Sequence, residues 1–263
     1  MKTQPSLLIP LILTVALALS ELAASAAVFT YNFESLTSGN NLAGQDNWTG
    51  LGGDAFIVST GSGTNTSTVV GTAGSTGSNF AGRSNDGTFS FGSLSGVTSL
   101  TLGFDTRYVD GGNGGVNNQS LFYLNSSPIA STQSAFFGLN GNGLVINGSG
   151  PVLPGTLNFD DWISLQLVMD LTANGGDGSG SLFYKNLTDG DLGYSAVSGL
   201  QDINLNLTSG QDPTQWNRMM LRTGLYEGNK IDNLYIETTA APEPSRTLLA
   251  ALGICGIILR RKR

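Results

Sequence analysis

The residues that could carry chemistry in this chain are few, and their spacing narrows the choice further. Glycosidic hydrolysis needs two carboxylates converging on one bond, one to protonate the leaving oxygen and one to attack or to activate water. Between Ala27 and Ala240 the glutamates are Glu34, Glu227 and Glu237, and none sits in a Glu-x-Asp-x-x-Glu arrangement. Asp160 and Asp161 are adjacent, so an extended backbone would send them to opposite faces. The chain has no histidine, and its one cysteine, Cys255, lies outside that stretch. Ser-His-Asp catalysis, a cysteine nucleophile or cage in the body, and an intramolecular disulfide are therefore all excluded. No catalytic residue is assigned, and the chain reads as a non-enzyme.

Oxygen ligands and aromatic rings remain. Calcium takes about six to eight oxygens from carboxylates, amides and backbone carbonyls. Asp170, Asn174 and Asp177 fall close together in a Gly-rich segment and are candidate ligands for a structural calcium. Their spacing is not that of an EF-hand, and a plain hairpin turn is the competing reading. Trp48, Trp162, Trp216 and Tyr226 are candidates for stacking on sugar rings, because such rings offer flat apolar faces beside a polar tip. Burial in the core is the competing reading for each. The run Gly111–Gly115 lacks the lysine and helix start of a phosphate loop and reads as a turn.

The elements that must position these residues are strands. Leu100, Leu102, Phe104 and Tyr108 share one face of the stretch from Val97, while Thr101, Asp105 and Arg107 share the other. Ile163, Leu165, Leu167, Met169 and Leu171 alternate with Ser164, Gln166 and Asp170 after Trp162. That period of two marks half-buried antiparallel strands. Shorter runs repeat it at Phe56–Val58, Thr88–Phe91, Leu121–Leu124, Ala135–Leu139, Leu144–Ile146, Ser181–Asn186, Met219–Thr223 and Ile231–Glu237, with Gly/Asn/Ser/Asp clusters between them. The expected fold is all-β, with two packed antiparallel sheets.

Charged residues make up 12% of the chain, about half the usual share. Residues 27–240 hold 17 Asp+Glu against 6 Lys+Arg, a net of −11. An acidic body repels phosphate backbones, so nucleic acid is not an expected partner.

Both ends read as targeting segments. Met1-Lys2, the apolar run Leu7–Leu19 and the small-residue site Ala24-Ser25-Ala26 predict a signal peptide over residues 1–26, cleaved after Ala26 or Ala27. A β-sandwich domain follows over 27–240 and a tail over 241–263. The tail joins Pro242-Glu243-Pro244 to an apolar segment at 247–259 and a basic end, Arg260-Arg261-Lys262-Arg263. Thirteen helical residues reach about 20 Å, short of a hydrocarbon core of about 30 Å. The terminal cations would hold the cytoplasmic side, and the two prolines would keep the peptide before them extended.

This three-part tail resembles the PEP-CTERM sorting signal of Gram-negative bacteria. The resemblance implies an inner-membrane precursor handled by signal peptidase and by exosortase, a membrane transpeptidase-like enzyme associated with exopolysaccharide and biofilm systems. Pro242, Glu243 and Pro244 would be its recognition element. The body in turn resembles concanavalin A-like, or laminin-G-like, jelly-roll sandwiches. The opening Phe29-Thr30-Tyr31-Asn32-Phe33-Glu34, the Trp162 strand with its partner at Ser181–Asn186, and the closing Ile231-Asp232-Asn233-Leu234-Tyr235-Ile236 carry that likeness. It implies first and last strands side by side; another β-sandwich is the runner-up. The expected function is that of an exported, exosortase-processed surface or matrix protein that binds or organises exopolysaccharide. A structural or adhesive protein with no glycan ligand and a divergent glycan-active enzyme are the alternatives.

Overall fold

A computed structural model describes residues 26–50, 56–72, 79–84, 94–109, 119–126, 135–141, 143–207, 212–223 and 229–240. The segments holding Ala24, Tyr226, the strand expected at Thr88–Phe91, the Pro242-Glu243-Pro244 motif, the apolar run 247–259 and the closing Arg260-Arg261-Lys262-Arg263 lie outside the described residues. Among the described residues no helix is long and apolar enough to cross a membrane. The chain divides into a compact unit, Ala27–Thr238, and a second made of Met1–Ala26 with Thr239–Arg263. The description that follows concerns the first.

Two antiparallel sheets make a jelly-roll sandwich. Among the described residues the first has nine strands, seven of them in the order β13 (Ser195–Ala196), β12 (Ser179–Asn186), β11 (Trp162–Asp170), β6 (Val97–Arg107), β16 (Lys230–Ala240), β4 (Thr68–Thr72) and β3 (Phe56–Thr60). β1 (Ala26–Tyr31) also pairs with β16, and β14 (Ile203–Asn204) with β12. The second has seven, in the order β10 (Ser149–Val152), β9 (Gly143–Ile146), β8 (Phe136–Asn140), β7 (Gln119–Asn125), β15 (Arg218–Thr223), β5 (Asn79–Ser84) and β2 (Thr49–Gly50). First and last strands are neighbours, as expected of this architecture.

Alternation decides which side chains enter the core. On β6 Leu100, Leu102 and Phe104 are buried, and on β11 Ile163, Leu165, Leu167 and Met169 are buried. They meet Phe122, Leu124, Phe137, Leu139, Met219 and Leu221 of the second sheet in one cluster. Phe104 bridges the sheets, with ring centroids 6.2 Å from Phe122 and 5.3 Å from Phe137. β7 departs from a half-buried pattern. Leu121 and Tyr123, which alternate with Phe122 and Leu124, form a second small cluster with Val145 and Met220. The unbroken apolar run Leu121–Leu124 reflects burial on both faces. Gly138 of β8 has φ +141°, and a Cβ there would lie 2.1 Å from the Ser120 carbonyl oxygen. Only glycine permits that approach of β8 to β7.

Candidate functional site

The outer face of the first sheet carries a polar groove. Strand register lays down its rows. Ser164 of β11 lies opposite Asp105 of β6 on one side and Lys185 of β12 on the other. One pleat further, Gln166 lies opposite Gly103 and Phe183. These residues point outward because their sequence neighbours, Leu102, Phe104, Ile163 and Leu165, are in the core.

β16 breaks the alternation to join these rows. Ile231, Leu234 and Ile236 are buried, so two residues rather than one separate the first pair. Asn233 adopts φ 49°, a left-handed conformation that asparagine tolerates better than most residues. The irregularity acts as a bulge that re-aims a side chain: Asn233 Nδ2 donates to Asp105 Oδ2 at 2.7 Å. Asp232 is fully buried beside it and accepts from Asn65 Nδ2 at 2.9 Å and from the Ser67 hydroxyl.

One hollow in this groove has a volume of about 370 Å³. Its lining includes Tyr31 from β1, Gly103 and Asp105 from β6, Gln166 from β11, Tyr235 from β16, and Tyr194 from the loop before β13. Gly103 creates the depth: a Cβ at that position would contact the Tyr235 side chain at 3.6 Å and sit 3.1 Å from the Leu165 carbonyl oxygen. A second hollow of about 420 Å³ adjoins it, with Asp105 and Asn233 shared and Asn65, Ser67 and Trp162 beyond. Asp105 thus stands at the junction of the two.

The polar groups are held in a network. Ser164, opposite Asp105 in the register, favours the charged form of its carboxyl, and Ser164 Oγ lies 2.8 Å from Tyr194 Oη. The Lys185 ammonium sits 5.2 Å from the Tyr194 ring centroid. Tyr31 Oη donates to Asp46 Oδ2 at 2.6 Å, and Tyr235 Oη donates to Glu237. Burial, which disfavours charge, raises the carboxyls of Asp105 and Asp232 above the usual carboxylate value, against the opposing pull of their hydrogen bonds. Burial and the Glu237 partner push the Tyr235 hydroxyl up to about 12, and burial raises Tyr194 as well.

The tryptophan candidates are buried, Trp162 in the wall of the second hollow, which corrects their assignment as exposed stacking faces. Trp48, Trp162 and Trp216 are 1%, 1% and 3% exposed. Trp48 packs 5.9 Å from Phe33 and donates Nε1 to Tyr31 Oη, and Trp162 donates Nε1 to the Ser62 carbonyl at 2.7 Å. Their large apolar areas favour the core, and the indole N–H groups of Trp48 and Trp162 have partners there. Tyr194, 42% exposed, supplies the accessible ring instead.

The calcium candidates form a hairpin connection whose polar atoms serve the turn itself. Asp170 Oδ1 accepts from the Thr172 amide, the Thr172 hydroxyl and the Ala173 amide, and Asn174 Nδ2 donates to the Gly178 carbonyl. The Thr172 bonds pull the exposed Asp170 carboxyl below its usual value. The Asp177 carbonyl accepts from the Leu207 amide. Among the described residues no group of three or more His, Cys, Asp or Glu could hold a metal ion. Of the cleavage residues, Ala26 and Ala27 lie in β1.

The groove residues left traces in the sequence. Asp105 falls on the polar face of its strand, Gly103 interrupts an otherwise bulky strand, and Asp232-Asn233 spoils an alternation. Tyr194 left none, because it enters from a loop.

No family model matches the sequence, and no curated protein matches it. Solved structures similar to the chain include lectin II from Ulex europaeus, 14% identical with a TM-score of 0.47, covering 81% of this chain and 98% of that one. Peanut lectin is 12% identical with a TM-score of 0.44, covering 82% and 98%. A carbohydrate esterase from Shiga toxin-encoding bacteriophage phi24B is 12% identical with a TM-score of 0.43, covering 81% and 98%.

Proposed function

We propose that this is an exported, non-catalytic protein that binds extracellular polysaccharide in the groove over the first sheet. One observation carries the reading: Tyr194 and Tyr235 line the hollow together with Asp105, Ser164, Gln166 and Asn233. Sugars present apolar ring faces edged by hydroxyls, and recognition calls for aromatic faces beside a few fixed polar groups. The open, two-part hollow suits successive residues of a chain. Export through the signal peptide and sorting through the Pro-Glu-Pro tail accord with a ligand outside the cell, on the surface or in the matrix of a Gram-negative bacterium.

The test is a glycan array and polysaccharide pull-down with the full-length chain. Gly103→Val fills the hollow and should abolish capture while leaving the circular dichroism spectrum unchanged. Tyr194→Ala, on an exposed loop, should weaken capture severalfold. Uniformly blank binding, with and without calcium, would discard the reading and leave a structural or adhesive role.

A catalytic reading has one observation in its favour, the raised carboxyls of Asp105 and Asp232, close enough to repel one another. Against it, both carboxylates are committed to neighbouring side chains. Incubation with a captured polysaccharide should release no new reducing or unsaturated ends; their appearance, lost in Asp105→Asn, would establish the enzyme.

A further inference from the structure

The hydrogen-bond directions around the groove restrict what it can bind. Tyr31 gives its phenolic proton to Asp46, and Tyr235 gives its own to Glu237. Tyr194 Oη and Ser164 Oγ share a hydrogen bond at 2.8 Å in which either can donate. Two of the three phenolic protons are thus committed to carboxylates.

Charge leans the same way. Asp105 is the one charged residue lining the two hollows, and the cation that acts on it, Lys185, is held over the Tyr194 ring. One N–H of Asn233 is committed to Asp105. Neutral donors in this hollow are the Thr30 hydroxyl, the Ser164–Tyr194 pair, the amides of Asn32 and Gln166 and the second N–H of Asn233. The charge of the lining is negative, so a well-matched ligand brings positive charge.

We propose that the groove selects glycans bearing a protonated amine, a glucosamine-type residue whose ammonium lies against Asp105 and the phenolic oxygen of Tyr194, over N-acetylated and uronate chains. This rests on the glycan-binding reading above. An ammonium has three donors and no acceptor, which suits the Asp105 carboxylate at the junction of the two hollows. An N-acetyl group removes the charge and adds bulk, and a uronate sets like charges against each other in a partly desolvated groove.

Calorimetric titration of the full-length chain at about pH 6, above the ordinary carboxylate range, tests the idea with hexamers of glucosamine, N-acetylglucosamine and mannuronate. The glucosamine hexamer should bind at least about tenfold tighter than either of the others. Asp105→Asn, nearly the same shape, should erase that margin. Tyr194→Phe should cut glucosamine binding severalfold and provides a second variant at an exposed position, should Asp105→Asn fail to fold. Equal or tighter binding of the N-acetylated or mannuronate hexamer, or a margin unchanged by both variants, would overturn the selectivity. If such binding is also lost in Gly103→Val, the glycan groove itself survives. No heat from any of the hexamers would overturn selectivity and groove together.

Discussion

Asn233 Nδ2 donates to Asp105 Oδ2 at 2.7 Å, joining residues 128 apart in the chain across the outer face of one sheet. The bond exists because β16 bulges where Asn233 takes a left-handed backbone, φ 49°, so that Asp232 and Asn233 both serve the groove. Backbone and side chain at this position do separate jobs, and substitution can tell them apart.

Asn233→Gly keeps the left-handed backbone and removes the amide, so its stability should fall by only about 1 kcal/mol. Asn233→Val loses the amide and also forces a β-branched residue into that region, adding a further cost of about 1–3 kcal/mol. Urea denaturation of both variants measures the gap. Equal midpoints would mean that the backbone at Asn233 relaxes freely.

Burial raises the carboxyls of Asp105 and Asp232, so both hold protons more tightly in the folded chain than in the unfolded one. Their contribution to stability is present below the ordinary carboxylate range and is lost as pH rises through the folded values. The groups facing Asp105 are Ser164 and Lys185 across the sheet, Tyr194 from the loop, and Asp232 and Asn233 on β16. Asp105→Asn should therefore gain stability relative to the native chain as pH rises from acid to neutral. A series of denaturation midpoints against pH reads this directly, and a difference that moves the other way would show that hydrogen bonds outweigh burial.

Phe137 contacts the rings of Phe104 and Phe122, at centroid distances of 5.3 and 6.0 Å, and is fully buried. Phe137→Ala should cost about 3–5 kcal/mol, the usual range for emptying a close-packed aromatic site. Phe159 stacks on Tyr108 at 5.1 Å but is 54% exposed, and Phe159→Ala should cost about 1 kcal/mol. Thermal unfolding of the two variants compares them, and comparable losses would contradict the assignment of the core.

Replacing Pro242, Glu243 and Pro244 with alanine should leave unprocessed precursor in the inner membrane. Cell fractionation and sequencing of the mature C-terminus check this. Normal release of the substituted chain would remove the sorting role while leaving the groove untouched.

The sequence by itself determined the class of fold. Alternation at Leu100–Phe104 and Ile163–Met169 identifies faces that burial then reproduces, because a period of two is a local property that each strand carries in its own residues. It also removed histidine and cysteine chemistry, since composition alone decides that. The groove was only partly legible. Asp105 and Ser164 could be assigned to polar faces, but nothing local says that they are cross-strand partners. Trp48 and Trp162, prominent in the sequence, went to the core because burial depends on what packs against a ring, not on its identity. Tyr194 reaches Ser164 from a loop, and Asn233 reaches Asp105 through a bulge. Such meetings depend on strand order and register, which are long-range properties, so the tertiary structure alone decided where the groove lies.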